Sequence, residues 1–548
     1  MTTADAIGAA AHRSMAARTK ILFLGFCAGE RDLILQWAGD GSMPTVRRLL
    51  ERGLSGPSMS LPGFFVGSTW ESFATGVTPA KHGAYCWEQL TPGTYDVVRT
   101  LTGDTFKRDS FWALLSRAGR RVAVLDVPLS VPTPDLNGIQ IVEWGAHDAQ
   151  YGFVTSPPSL AKEVVARFAR HPWCGNCDAE RDLDDYMSFR DGLVRGIQTK
   201  AELTRYFLDR GGWDFFAQVF TESHCIGHQC WHFHDPTHPR HDPESSRKIG
   251  DPVKDVYVAI DTAMGRVLEN IEEDTTVVFL AGHGMGPKYH AQFLLDDILL
   301  RLGVAAPAAA APDPPSEPGG AWGARMDAAA AWAWHRLPAG IQRELKPWRR
   351  RVRAWIDGPP AKPRPTVDPA GSQCFRVSNN FAHGGIRINM AGREPNGKVR
   401  RGAECDALCE QLAKDFMDLV NLDTGKPIVN RVLRTAEVYK GPYVDDLPDL
   451  LVEWTAYSPT YRIGSKKTGE IRGEYLYCRT GEHKPGGLFI ASGPLIPRGR
   501  LERAVSILDF APTLCSMLGV TLADVDGQPI AEIVSPDRRV ADFSAAQV

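Results

Sequence analysis

Four short apolar runs, each followed by a stretch of helical periodicity, constrain this chain more than any other feature of its sequence. They are residues 21–26 (ILFLGF), 121–128 (RVAVLDVP), 215–220 (FFAQVF) and 275–280 (TTVVFL). Continuous apolar runs of this length lack the alternation of a half-exposed strand and suit strands buried on both faces. After the first run, Leu33, Ile34 and Trp37, then Met43, Val46, Leu49 and Leu50, recur at helical spacing. The repeated pattern predicts an α/β fold with a mainly parallel central sheet flanked by helices. Functional groups in such folds lie just past the carboxyl ends of the strands. The residues after Phe26, Phe220 and Leu280 therefore carry the most weight.

At 548 residues and 43% hydrophobic, the chain can form one large domain, 1–548, with inserted segments. The stretch 303–375 reads as such an insertion: an Ala/Pro-rich linker, an Ala/Trp helix, and the basic run 346–353 (KPWRRRVR), either a solvated face or an anion-docking one. Residues 88–210 carry no motif and are expected to form a cap or substrate-specificity region. With 62 Lys+Arg against 65 Asp+Glu, the net charge of -3 gives no global basic field, so neither a nucleic-acid nor a membrane partner is expected. The N-terminal residues lack an apolar signal core, and no apolar stretch reaches spanning length, which predicts a soluble, cytoplasmic protein. Eleven cysteines, an odd number without that signal, read as reduced thiols. Cys174 and Cys177 form the one CxxC; with no second pair nearby, a structural or incidental role outweighs a metal or redox one.

Histidines cluster after the predicted strands. Residues 221–234 (TESHCIGHQCWHFH) place His224 and His228 four apart, on one side of a helix, as two ligands of one metal require. His283 sits in a glycine-rich turn (281–287, AGHGMGP), and His483 in another (480–487, TGEHKPGG) before the apolar run 488–491. Three such turns point to one shared site, because neutral imidazole is the commonest transition-metal ligand. His232, His234, His238 and His241 are expected on a polar loop. Glu222 and Glu482 can serve as acid, base or imidazole partner, or be surface carboxylates. Lys484 and Arg479 can counter a substrate anion, or be solvated.

The motifs 75–83 (TGVTPAKHG), 282–287 (GHGMGP) and 481–487 (GEHKPGG), with 448–452 (PDLLV) and 509–514 (DFAPTL), occur in an order that resembles the alkaline phosphatase superfamily, in its type I phosphodiesterase/nucleotide pyrophosphatase-like branch. The resemblance covers most of the chain. It implies an alkaline phosphatase-like sheet and a two-metal site where a Thr or Ser attacks a phosphate or sulfate ester. Several implied positions are altered here. Cys27 stands where the first acidic ligand is expected, Val66 at the nucleophile, His224 at the acid of the pair completed by His228, and Gly282 at the acid before His283. The first metal position thus keeps His224, His228 and His483, and the second keeps His283 with Cys27 as a soft ligand. Three negative charges have left the pocket, so one divalent transition metal is expected rather than two. Zinc suits three imidazoles best; iron or copper also fits.

Val66 has no attacking atom. The remaining nucleophiles are a bound water, a substrate hydroxyl, Ser68, Thr69 or the Cys27 thiolate, although Cys27 reads equally as a buried inert thiol. The expected function is group transfer or hydrolysis on a small-molecule anionic ester, phosphate-, sulfate- or sulfamate-like. Two alternatives stand beside it: an inactive binding or scaffold protein that keeps the fold, and a mononuclear iron or copper enzyme of redox or lyase chemistry.

Overall fold

The computed structural model describes residues 20–65, 67–99, 107–145, 151–172, 179–269, 271–309, 366–380, 382–475 and 477–534. Val66, the Cys174/Cys177 pair and most of the insertion, including 346–353, lie outside the described residues.

Along the chain, β1 (Lys20–Phe26) leads to α1 (Arg31–Gly39), β2 (Leu54–Met59) to α2 (Thr69–Thr75), and α3 (Phe111–Arg117) to β3 (Val122–Leu125), β4 (Gly138–Val142) and β5 (Val154–Ser156). The long α4 (Leu183–Leu208) precedes β6 (Phe215–Phe220), α5 (Glu222–His234), α6 (Pro252–Leu268), β7 (Thr275–Ala281) and the short β8 (Gly284–Pro287). Then come β9 (Cys374–Val377), β10 (His383–Ile388), α7 (Ala403–Met417), β11 (Val429–Arg434), β12 (Leu450–Trp454), β13 (Gly481–Lys484), β14 (Gly486–Ser492), β15 (Gly499–Arg500) and β16 (Val505–Ser506).

The main sheet has ten strands in the order β15-β2-β14-β7-β1-β6-β3-β4-β5, with β16 also on β2. Its centre is parallel, as the four apolar runs predicted. Side chains alternate between two buried faces: Leu22, Leu24 and Phe26 of β1 enter one apolar cluster, Ile21 and Phe23 the other. A strand covered on both sides needs apolar residues at every position, which is why these runs are continuous. Antiparallel β9-β10-β12-β11 forms a second sheet, whose core with α7 is a separate cluster.

Register decides where the strands deliver their ends. Phe26 pairs with Phe220 on one side and Ala281 on the other. Cys27, Thr221 and Gly282 therefore leave the sheet at one level. The 75–83 motif is held from within: His82 is fully buried, its Nδ1 accepts the Ala84 N–H at 3.1 Å, and Nε2 lies 2.9 Å from Ser72 Oγ. Burial pushes its pKa down to about 3, so the ring is neutral and donates to Ser72.

Two expectations are corrected. Residues 88–210 are largely core and not a cap, because they supply β3, β4 and β5 to the main sheet and α4 to its helical layer. His232 and His234 belong to α5 and not to a loop, since nothing breaks that helix before Asp235-Pro236. His232 is buried with Nδ1 3.0 Å from Thr480 Oγ1, and His234 Nδ1 meets Asp251 Oδ2 at 2.7 Å. His238 and His241 do follow in the turn, but His238 is buried, stacked on Tyr289. No described helix is long and apolar enough to cross a membrane.

Candidate metal centre

Helix α5 starts two residues after β6 ends, so its first turns stand over the carboxyl edge of the sheet. The i,i+4 spacing then stacks His224 and His228 on one side, with ring centroids 4.4 Å apart and Nε2 atoms 3.2 Å apart. The third imidazole arrives from 255 residues away. Strand β13 pairs antiparallel with β8, placing His483 opposite Met285. Its backbone lies directly against α5: a Cβ on Gly481 would come within 2.1 Å of the Gly227 carbonyl oxygen. That approach sets His483 Nε2 3.0 Å from His228 Nε2. All three rings are buried, and their donor atoms lie within 4.8 Å of one another. Among the described residues no other trio of His, Cys, Asp or Glu converges this way.

This donor set fits a transition ion. Zinc–imidazole bonds of about 2.0–2.1 Å in a tetrahedral arrangement separate the nitrogens by roughly 3.3 Å, close to the 3.0 and 3.2 Å observed. His228 Nδ1 lies 2.8 Å from the Gly481 carbonyl and donates to it, which turns the Nε2 lone pair inward. Burial foremost, with repulsion from neighbouring His228, His283 and Arg479 were they charged together, holds His483 well below the ordinary histidine range against the pull of Glu482.

Arg479 enters the site. Its buried guanidinium donates from Nη1 to His228 Nε2 at 3.1 Å, which sets a fixed positive charge beside the three rings. Glu482 is buried rather than superficial and accepts from Lys288 Nζ at 2.5 Å and from the His483 N–H at 3.1 Å. Burial alone would raise its pKa, but Lys288, the imidazoles and Arg479 hold it far below the usual carboxylate range. Lys288 has no counterpart among the sequence candidates. Its signal was its place directly after β8, which becomes informative only once β8 is known to pair with β13.

Other candidates lie elsewhere. Glu222 faces away from the imidazoles into a buried network, with Lys200 Nζ and His171 Nε2 each 3.1 Å from Oε1. Lys200 also meets Asp126 at 3.3 Å and Thr221 Oγ1 at 3.2 Å, so this group ties α4, α5 and the end of β3 together. Glu222 is thus neither a surface carboxylate nor a partner of His224. Lys484 pairs with Glu30 at 3.1 Å and does not enter the site.

The His283 ring is 4.6 Å from that of His483. Cys27 Sγ is buried and accepts the Trp70 indole N–H at 3.3 Å. A side chain at Gly282 would press on Thr69 Cγ2 at 3.1 Å and Ile507 Cδ1 at 3.3 Å. The two candidate hydroxyls bond to the preceding turn: Ser68 Oγ donates to Phe64 O at 3.1 Å, and Thr69 Oγ1 to Phe65 O while lying 2.6 Å from Ser60 Oγ.

Comparison with known proteins agrees with this architecture. No curated protein matches the sequence. Among solved structures, phosphonoacetate hydrolase from Sinorhizobium meliloti 1021, in complex with phosphonoacetate, superposes with a TM-score of 0.50 at 14% identity, covering 91% of this chain and 95% of that one. An inactive variant of murine ectonucleotide pyrophosphatase/phosphodiesterase 5, in complex with AMP, gives a TM-score of 0.46 at 12% identity over 94% and 99% of the two chains. The first likeness establishes an alkaline phosphatase-like fold. The family described as type I phosphodiesterase/nucleotide pyrophosphatase matches residues 25–356, about three-fifths of the chain and a span that runs from the end of β1 through α5 and His283. The chain belongs to the type I phosphodiesterase/nucleotide pyrophosphatase family.

Proposed function

We propose that this protein is a divergent, metal-dependent member of its family that carries out group transfer or hydrolysis on a small anionic ester with one divalent transition ion, zinc foremost, at His224, His228 and His483. The observation that carries this reading is the convergence of three buried Nε2 atoms at ligand spacing, with the His228 tautomer set by the Gly481 carbonyl. A bound ion would supply Lewis acidity toward an ester oxygen. Arg479 would bind the anion of a phosphate, sulfate or sulfamate group, and its donor to His228 Nε2 is freed when that lone pair ligates. Glu482 and Lys288 hold β13, and so His483, in place. Position 66 carries valine, so the attacking group is a water or an acceptor hydroxyl rather than the family's Thr or Ser.

The Arg479–His228 contact favours a second reading, a metal-free anion-binding protein without catalysis, because a guanidinium already uses the lone pair an ion would need. Elemental analysis of the purified full chain, combined with assays on sulfate and phosphate esters, separates the two. About one zinc per chain and turnover abolished by chelation support the enzyme. Tight sulfate binding by a protein that takes up no metal supports the second reading. Stoichiometric iron or copper points instead to redox or lyase chemistry.

A further inference from the structure

A second polar constellation lies away from the imidazoles, in a cavity of about 170 Å³ between α2, α3 and the loop 129–134 that follows β3. Glu71 of α2 lines it. This residue is 2% exposed, and neither carboxylate oxygen has a hydrogen-bond partner elsewhere among the described residues. Trp112 Nε1 and Ser130 Oγ line the same cavity and are likewise buried without partners. The Tyr151 hydroxyl, outside that lining, is also buried without a partner among the described residues; burial first, then the Glu143 and Glu71 charges, oppose its ionisation. Buried polar groups are almost always paired, so several unpaired ones around a single cavity mark a place built to receive something.

Charge and shape narrow what it receives. Among the described residues Glu71 makes no ion pair: Arg108, which lines the cavity, is bridged to Asp524, and Asp109 beside it is paired with Arg117 at 2.6 Å. Burial accordingly pushes the Glu71 carboxyl up to about 8, a rise that its own backbone N–H only partly offsets. Trp70, Leu129 and Pro132 supply aromatic and aliphatic wall, which suits the carbon skeleton and positive charge of an organic cation. The indole N–H requires an acceptor, which a bare cation would not offer. In volume, a cavity on the order of 150 Å³ holds a molecule the size of benzene.

We propose that this cavity binds a small organic ammonium bearing a neighbouring hydroxyl, of the amino-alcohol class, with Glu71 as its counter-ion and Trp112 and Ser130 bonding the hydroxyl. The site is separate from the imidazole cluster. Thr69 and Glu71 are two positions apart on α2, about 200° around the helix, so Thr69 faces Gly282 while Glu71 faces the cavity.

Titration calorimetry of the full chain with ethanolamine and with choline, at about pH 8.5 where most of the Glu71 carboxyl is ionised, tests this directly. Saturable binding of at least one ammonium is expected, with ethylene glycol, which has no charge, binding at least about tenfold more weakly. Glu71→Gln should weaken the ammonium about tenfold or more, and Ser130→Ala, a small change that keeps the fold, several-fold. No saturable binding of either ammonium would mean that water alone fills the cavity and would overturn the proposal. Equal affinity for ethylene glycol, or affinity unchanged in Glu71→Gln and Ser130→Ala, would do so as well.

Discussion

The half of the strand-end rim built by α5 and β13 is polar and interlocked, whereas in the half beside the ends of β1 and β7 positions 27 and 282 are packed against side chains of α2, with His283 as the imidazole there. In the first, three imidazoles, Arg479 and the Gly481 carbonyl hold one another at 2.8–3.2 Å, braced by the buried Lys288–Glu482 pair. In the second, the Cys27 thiol lies under the Trp70 indole, and Gly282 meets the Thr69 methyl and Ile507. The positions where the family resemblance implies carboxylates have not been left as a polar hole. An anionic pocket that loses its charges would collapse or fill with water, and here side chains fill it. That difference is what the proposed function, with one ion in the imidazole half, would require.

The largest effect that would break this comparison concerns the ion. His228→Ala or His483→Ala should lower affinity by several orders of magnitude and take stoichiometric metal below about a tenth of an ion per chain, measured by mass spectrometry of the purified protein. His283→Ala should keep most of it. Loss of the ion from the His283 and Cys27 variants, with retention in the other two, would place it in the opposite half.

Returning a carboxylate to the filled half tests whether it is closed. Gly282→Asp should cost about 2–4 kcal/mol in denaturant unfolding, because an acid would be buried against Thr69 and Ile507 without a partner. A stable Gly282→Asp protein holding a second ion would show that half to be latent instead.

The same helix, α2, carries an effect with a pH signature. The Glu71 carboxyl is held near 8 in the folded chain, against an ordinary value of 4.5. Between those values the folded state keeps a proton that the unfolded state has released, so wild-type stability falls as pH rises through this window and is level above it. Without added ligand, Glu71→Gln should therefore be more stable than wild type by up to about 4 kcal/mol at pH 8, with the gap closing toward pH 4. A gap independent of pH would mean that the acid is already ionised or already satisfied.

The smallest expected effect is at Cys27. As a packed thiol, its replacement by Ala should cost about 1 kcal/mol and leave metal content and turnover unchanged. Loss of turnover with the fold intact would make it the nucleophile and join the two halves into one catalytic unit.

Much of this was legible before any coordinates. Continuous apolar runs can be satisfied only inside a two-sided sheet, so β1, β3, β6 and β7 were visible as strands. His224 and His228 were visible as a pair because helical periodicity links positions four apart. Glu222 looked equivalent to Glu482, since each neighbours a candidate ligand, yet one braces α4 and the other braces β13. Which side of α5 Glu222 occupies depends on Lys200 and Asp126, which sit on other elements. Lys288 and the Glu71 cavity escaped notice for the same reason.

What the sequence determined by itself was the fold class, the approximate level at which functional groups emerge, and the residue types there: imidazoles at 224, 228, 283 and 483, with Cys27, Gly282 and Val66 where the family resemblance implies acids and a hydroxyl. Only the tertiary structure decided which imidazoles can share an ion, that Arg479 faces them, that Thr69 and Ile507 fill the space beside Gly282, and that Glu71 ends in a cavity with no ion pair among the described residues. Periodicity is a local property that each segment carries alone. Convergence, by contrast, joins side chains hundreds of residues apart, and depends on strand register and on the close backbone approach of Gly227 and Gly481, neither of which leaves a local pattern in the chain.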